Sequence, residues 1–275
     1  MLESLREIWA YRALVNEFVR RDLKLRYKNS IGGVAWSLFN PLLQIIVITQ
    51  VMKFILPNPV KDYSAHLFIL FLWTFIQISV IDGCSAILNN AQLIRKIYFP
   101  RAILPLVTVL NNLFHFGIAF VFTFAYFFAI GTYPQHLRAE VLMVVPVILC
   151  SVVLCVGLAL ITSYLNVFYE DVRIIVSSLI GLFLYALPIL YPIEQVRARP
   201  EIYVWYMLNP FATLVVTYQR ALLAPPIVRN AQNEVLISVG IPWNYFAFAC
   251  LFSLATLWLG FALFEKYKWE IVERV

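Results

Sequence analysis

Long apolar runs without a single Asp, Glu, Lys or Arg constrain this chain more than any other feature. Four such runs cover residues 102–135, 141–169, 174–193 and 242–264. A helix needs roughly 20 apolar residues to cross the hydrocarbon core of a bilayer. Membrane β-strands would instead alternate apolar and polar positions in segments of about ten residues, a pattern the chain lacks. The runs therefore predict an all-α integral membrane protein.

Composition supports the same class. Of the 275 residues, 62% are hydrophobic and only 13% are charged, whereas soluble domains are about 25% charged. Lys and Arg exceed Asp and Glu by 21 to 15. In a membrane protein such an excess marks cytoplasmic loops, so we expect no nucleic-acid partner. The cysteines lie in apolar runs without a CxxC pair, so neither a metal site nor a disulfide framework is predicted.

Proline, glycine and charged residues divide the chain into segments. We predict a cytoplasmic interface helix within residues 1–33, since its apolar residues recur at helical spacing. Spans one to five occupy 34–191 and span six occupies 243–264. The predicted spans are 34–55, 65–88, 103–130, 141–168, 174–191 and 243–264.

The segment 192–242 is expected to remain outside as re-entrant helices before the sixth span. Its uncharged stretch 202–219 is split by Asn209-Pro210 into pieces too short to cross. With both termini in the cytoplasm, including a tail at 265–275, most basic side chains lie inside, as the positive-inside rule requires.

The chain carries no recognisable catalytic constellation. It has no G-x-x-x-x-G-K-[ST] loop, no G-x-S-x-G elbow and no H-E-x-x-H helix. We therefore assign no catalytic residue. Two polar groups inside predicted spans each have two interpretations. Asp82 serves either structural pairing or function, and His115, beside Asn111 and Asn112, serves either interhelical hydrogen bonding or substrate contact.

Aromatic residues are abundant, with 7 Trp, 15 Tyr and 22 Phe. Many such rings anchor a protein at the membrane interface. Rings along a channel would instead stack on the apolar faces of sugars, which suits a polysaccharide path. The candidates for a sugar path are Trp73, Phe75, Phe183, Tyr185 and Tyr191.

Three sequence clusters carry a family resemblance. The first runs from Arg20 to Trp36 and closes with Asn40-Pro41-Leu42. The second is Leu93 to Arg101, followed by Ile103-Leu104-Pro105. The third is Pro188-Ile189-Leu190-Tyr191-Pro192, followed by Asn209-Pro210. In these clusters the chain resembles the ABC-2 type permeases that export lipid-linked polysaccharides, namely the O-antigen, teichoic acid and capsule exporters.

The resemblance implies the transmembrane subunit of an ATP-driven exporter of undecaprenyl-linked cell-envelope polysaccharide. Such a permease is a homodimer with two separate ATP-binding-cassette ATPase subunits, in the plasma (inner) membrane of a bacterium. Those subunits bind ATP and Mg²⁺, so no cofactor is expected in this chain. Two rival functions are an ABC-2 exporter of a small lipid or drug, and a solitary membrane glycolipid scramblase or enzyme.

The resemblance also implies contacts with the ATPase. The loop between spans two and three resembles a coupling helix, with an apolar knob of Tyr98, Phe99 and Pro100. The short turn at 169–173 resembles a second contact. A loop that is basic only for topology is the alternative. The predicted coupling residues are Arg95, Lys96, Tyr98, Phe99, Pro100, Arg101, Glu170, Asp171 and Arg173.

A basic row before span one is the candidate entrance for the lipid pyrophosphate. Arg20, Lys24 and Lys28 share one helical face, and Arg26 lies on its flank. Arginine grips phosphate bidentately, while lysine acts as a point charge. The competing interpretations are that these residues anchor the helix on anionic lipid or pair with the ATPase.

Labelling of introduced cysteines tests the topology. In a background lacking the four native cysteines, Arg199→Cys and Asn230→Cys should both react with an impermeant maleimide in intact cells, because both lie in the predicted external segment. Labelling of Arg199→Cys from outside and of Asn230→Cys only from inside would establish a seventh crossing instead.

Overall fold

Backbone amides and carbonyls in hydrocarbon need partners within the chain, and a helix supplies them locally. The computed structural model describes residues 2–28, 35–55, 68–129, 139–225 and 236–274, and within these ranges the regular structure is entirely helical. The all-α prediction is therefore confirmed.

Twelve α-helices occur in the described residues. Short 3-10 turns at Leu88–Asn90 and Ala139–Met143 precede α5 and α7. The helices are α1 Leu2–Ala10, α2 Arg12–Tyr27, α3 Ala35–Ile55, α4 Leu70–Cys84, α5 Ala91–Lys96, α6 Ile103–Ala129, α7 Val144–Phe168, α8 Asp171–Ala186, α9 Ile193–Arg197, α10 Pro200–Met207, α11 Pro210–Leu222 and α12 Trp243–Arg274.

Three stretches in the described residues are long and apolar enough to cross a membrane: Ile103–Ala125, Ala139–Phe168 and Trp243–Lys268. A fourth arises if α4 and the segment 88–96, bent by 57°, count as one span. Helices α3 and α8 lie in two more of the predicted spans, but α8 has only 16 residues. The six-span count therefore stays a prediction.

The centre of the bundle is α7, which packs most extensively against α12 and α4. Glycine allows the first of these contacts. A Cβ atom built on Gly157 would lie 2.6 Å from the backbone nitrogen of Leu257, and one on Gly260 would lie 2.9 Å from the carbonyl oxygen of Gly157. Small residues let membrane helices approach closely, where van der Waals packing replaces a hydrophobic driving force. Gly83 of α4 meets Ala159 of α7 in the same way.

The N-terminal helix α2 packs along α6. Val15 and Phe18 of α2 are buried, whereas Trp9 of α1 is 71% exposed. The predicted tail at 265–275 is not a separate segment, because α12 continues without a break to Arg274.

The chain between α8 and α12 forms short helices that divide where the sequence predicts. Helix α10 ends at Met207 and α11 begins at Pro210, with the Asn209 side chain accepting a hydrogen bond from the Phe211 N–H at 3.0 Å. Asparagine at the N-cap and proline at the first helical position are both favoured there. Their re-entrant placement in a membrane remains a prediction.

Substitution of Gly157 tests the central crossing. Gly157→Ala should destabilise the protein by about 1–3 kcal/mol, because the added methyl group forces the α7 and α12 backbones apart. Thermal unfolding in detergent measures this. The control is Gly117→Ala on α6, where an added Cβ meets nothing within 4 Å. Equal unfolding temperatures for the two variants would contradict the assigned contact.

Candidate functional site

A polar cavity of about 490 Å³ lies where α2 meets α6 and the end of α4. Charged and amide side chains are concentrated here among apolar helices, where they need hydrogen-bond partners. The lining residues are Arg21, Asp22, Leu23, Leu25, Arg26, Asp82, Ala86, Asn89, Asn90, Thr108, Asn111, Asn112 and His115.

Arg21 is fixed on three sides. Its Nη2 lies 2.7 Å from Oδ1 of Asp22 and donates to Oδ1 of Asn90 at 3.3 Å. Its guanidinium carbon lies 4.8 Å from the centre of the Phe18 ring, a cation–π contact. The charge of Arg21 is therefore already compensated by a carboxylate.

Arg26 is held differently, through an amide. Its Nη1 donates to Oδ1 of Asn112 at 3.2 Å, and Nδ2 of Asn112 donates to Oδ2 of Asp82 at 3.3 Å. Within the described residues no carboxylate lies within 4 Å of Arg26. Asn112 is thus the hydrogen-bond partner of Asp82, which agrees with the structural interpretation of that carboxylate. The same amide separates Asp82 from the Arg26 guanidinium.

Asn111 makes a second bridge from α6. Its Nδ2 donates to Oδ2 of Asp22 at 3.4 Å. The two neighbouring asparagines of α6 therefore bind α2 at two positions, Asp22 and Arg26. An arginine has five N–H donors in a planar fork, and Arg26 uses one of them on Asn112. The arrangement can accept an anion at Arg26, beside the neutral amides.

Only Arg26 of the four predicted entrance residues lines this cavity. The side chain of Arg20 is 78% exposed and lies 3.5 Å from Glu17. Lys24 and Lys28 are also exposed and do not contribute to the lining. Arg21 also lines the cavity, although the sequence analysis did not predict it as a site residue. The sequence signal for a polar site here was the pair of adjacent asparagines at 111 and 112 inside an apolar run.

The predicted coupling loop follows the 57° bend after α4. Arg95 and Lys96 are exposed, and Tyr98 is 72% exposed. Phe99 is not part of an exposed knob, because it is only 4% exposed and its ring meets that of Phe18 edge-on at 5.6 Å. The backbone turns at this point, so Ile97 is the apolar residue exposed beside Tyr98.

Arg101 ends this loop and ties it to the last helix. Its Nη1 donates to the carbonyl oxygen of Lys268 at 2.8 Å, and burial lowers the pKa of its guanidinium. Pro100 is half-buried at the same place. The three residues predicted for a second ATPase contact, Glu170, Asp171 and Arg173, are exposed at the start of α8.

Comparison with known proteins identifies the family. Residues 14–223 match the family described as ABC-2 type transporter. The chain belongs to this family. The matched range includes both the polar cavity and the Arg95–Arg101 loop of the permease.

Similar proteins indicate the exporter type. The permease is 27% identical over 276 residues to the O-antigen export system permease protein RfbA of Myxococcus xanthus, covering 100% of both chains. It is 28% identical over 256 residues to the protein of the same name from Klebsiella pneumoniae, covering 92% of this chain and 91% of that one. The predicted resemblance to ABC-2 permeases of the polysaccharide exporter type is confirmed.

The five aromatic residues predicted for a sugar path lie in different surroundings. Trp73 and Phe75 belong to the core, where they meet Phe211 at 6.1 Å and Phe116 at 5.4 Å between ring centres. Packing of α4 against its neighbours explains this burial. Phe183 is half-buried against Phe211, Tyr185 is exposed, and the Tyr191 hydroxyl donates to the Ala186 carbonyl at 2.8 Å.

Two substitutions in the loop test which of its aromatic side chains is buried and which is exposed. Phe99→Ala should destabilise the permease by about 3 kcal/mol, because it removes a buried ring. Tyr98→Ala should leave the unfolding temperature within about one degree of the parent, since surface changes cost little. Thermal unfolding in detergent measures both. A stable Phe99→Ala variant would contradict the burial of this ring.

Proposed function

We propose that this permease moves undecaprenyl-linked polysaccharide, of the O-antigen or teichoic acid type, across the cytoplasmic membrane of a bacterium. Two copies of the chain form the membrane core, with both termini in the cytoplasm. Two ATPase subunits bind ATP and Mg²⁺ and supply the energy, so the permease itself needs no cofactor. The family match and the names of the relatives support transport of this class.

The observation that carries the substrate assignment is the setting of Arg26. It faces a polar cavity beside an apolar bundle, and an amide rather than a carboxylate holds it. A lipid pyrophosphate combines a concentrated negative charge with a hydrocarbon tail. The charge can bind Arg26 through charge-assisted hydrogen bonds, while the tail remains in the lipid around the helices.

Exposed apolar faces support the assembly of two copies. Helix α8 has Ile180 as its buried residue, while Ile174, Leu179 and Leu182 are each more than half exposed. Helix α3 likewise exposes Ile46 and Val47. Large apolar faces mark contacts with lipid or with another protein surface. A second copy covers part of this area in the proposed homodimer.

The coupling loop offers a route from the ATPase to the cavity. Ile97 and Tyr98 provide an exposed contact between basic residues, as an interface core within a polar rim requires. Behind them Phe99 packs on Phe18, and the Arg21 guanidinium makes a cation–π contact with the Phe18 ring. Movement of the loop is therefore transmitted to α2, which carries Arg26.

Arg26 is tested by reconstituting the permease with its ATPase in liposomes. Arg26→Lys should lower transport of lipid-linked oligosaccharide about tenfold, equivalent to about 1.4 kcal/mol, because lysine lacks the planar fork that holds pyrophosphate. Basal ATP hydrolysis should persist. The control, Arg20→Lys, changes an exposed arginine outside the cavity and should transport at the parental rate.

Two results would contradict the proposal. If Arg26→Lys and Arg26→Ala both transport at the parental rate, Arg26 is not part of the substrate site. Transport of a free lipid or drug by the parent, without transport of lipid-linked oligosaccharide, would instead establish the rival ABC-2 function.

A further inference from the structure

A second and larger cavity, of about 770 Å³, lies at the far end of the bundle. It is enclosed by α9, α10 and the segment 236–245 that leads into α12. Helix α12 has 32 residues and is therefore about 48 Å long. Its Trp243 end borders this cavity, whereas the Lys268 carbonyl near its other end binds Arg101. The cavity and the coupling loop thus occupy opposite ends of the permease.

The floor of the cavity is built around a buried ion pair. Nη2 of Arg220 lies 2.6 Å from Oε1 of Glu194, and both side chains are almost fully buried. The same carboxylate oxygen accepts a hydrogen bond from the Val239 N–H at 3.2 Å, and Arg197 donates to the Ser238 carbonyl at 3.3 Å. These bonds hold the segment 236–245 against α9 and keep the cavity open.

The walls combine aromatic faces with a few polar groups. Tyr203 and Tyr245 form a perpendicular pair with ring centres 6.1 Å apart. Trp243 is 59% exposed at the cavity and is followed by Asn244. Oε2 of Glu194 is buried and has no hydrogen-bond partner among the described residues. Ligand sites typically enclose 300–1,000 Å³ and place a few polar groups among aromatic side chains.

We propose that this cavity binds a sugar ring of the transported polymer at the end opposite to the coupling loop. A sugar ring has apolar C–H faces and a hydroxyl edge. The exposed face of Trp243 packs on the apolar C–H face of the sugar, because the indole is itself a large apolar ring. The side chains of Arg197 and Asn244, which line the cavity, exchange hydrogen bonds with the hydroxyl edge of the sugar. This assignment rests on the proposed function.

The probe is the repeat-unit oligosaccharide released by mild acid from the host's own cell-envelope polysaccharide. Its binding to the intact permease–ATPase complex in nanodiscs is measured by saturation-transfer NMR. Trp243→Ala should weaken binding about tenfold, as loss of an aromatic anchor does. Asn244→Ala, which leaves the indole in place, should weaken it several-fold. The matched control is Trp205→Ala, which removes a 77% exposed tryptophan of α10 outside the cavity lining and should bind as the parent does.

Thermal unfolding confirms that each variant is folded. If Trp243→Ala is not folded, binding by Asn244→Ala decides whether the cavity binds the sugar. Absence of oligosaccharide binding by the parent overturns the inference, and so does parental binding by a folded Trp243→Ala, or by Asn244→Ala where Trp243→Ala does not fold. The transport assay separates this failure from failure of the proposed function. If the complex exports lipid-linked oligosaccharide but does not bind the released repeat unit, the proposed sugar site is wrong and the proposed function still holds.

Discussion

The crossing of α7 and α12 at Gly157 and Gly260 is the contact on which the other elements depend. Apolar side chains gain little by leaving lipid for another helix, so close packing must hold a membrane bundle together. Helix α7 also receives α4 through the Gly83–Ala159 contact. The position of α4 determines where Asp82 lies, and Asp82 in turn fixes Asn112 and the polar cavity. A methyl group on Gly157 would therefore disturb packing and the proposed substrate site together.

Among the described residues, two contacts join the Arg95–Arg101 loop to distant helices. Phe99 packs against Phe18 of α2, and Arg101 bonds to the Lys268 carbonyl of α12. The loop is thus attached to the helix that carries Arg26 and to the helix that ends at the second cavity. Because α12 is a single helix, one continuous element joins the Lys268 carbonyl, which binds Arg101, to Trp243 at the second cavity.

The sequence predicts the long helices well because their signal is local. The uncharged runs give both ends of α6, the end of α7 and the start of α12, although α12 continues about ten residues beyond the predicted span. Asn209-Pro210 marks the start of α11. Side-chain direction is harder to predict, since one helical position turns a residue by about 100°. Arg21 therefore lines the cavity while Arg20 does not. In the non-helical loop, the local backbone direction leaves Tyr98 exposed and Phe99 buried. Trp73 is buried by neighbours distant in sequence, which composition cannot indicate.

The two polar arrangements differ in a way that matches their proposed roles. Glu194 and Arg220 are in direct contact and almost inaccessible, so their charges are committed to each other and to holding the segment 236–245. Removing one partner of such a pair leaves an uncompensated buried charge. Asp82 and Arg26 are instead separated by the Asn112 amide. The carboxylate orients the amide without neutralising the guanidinium, which remains available to an anion. In the proposed function a pyrophosphate must bind and also leave, and a single arginine held by a neutral amide binds it less tightly than a cluster of unpaired cations would.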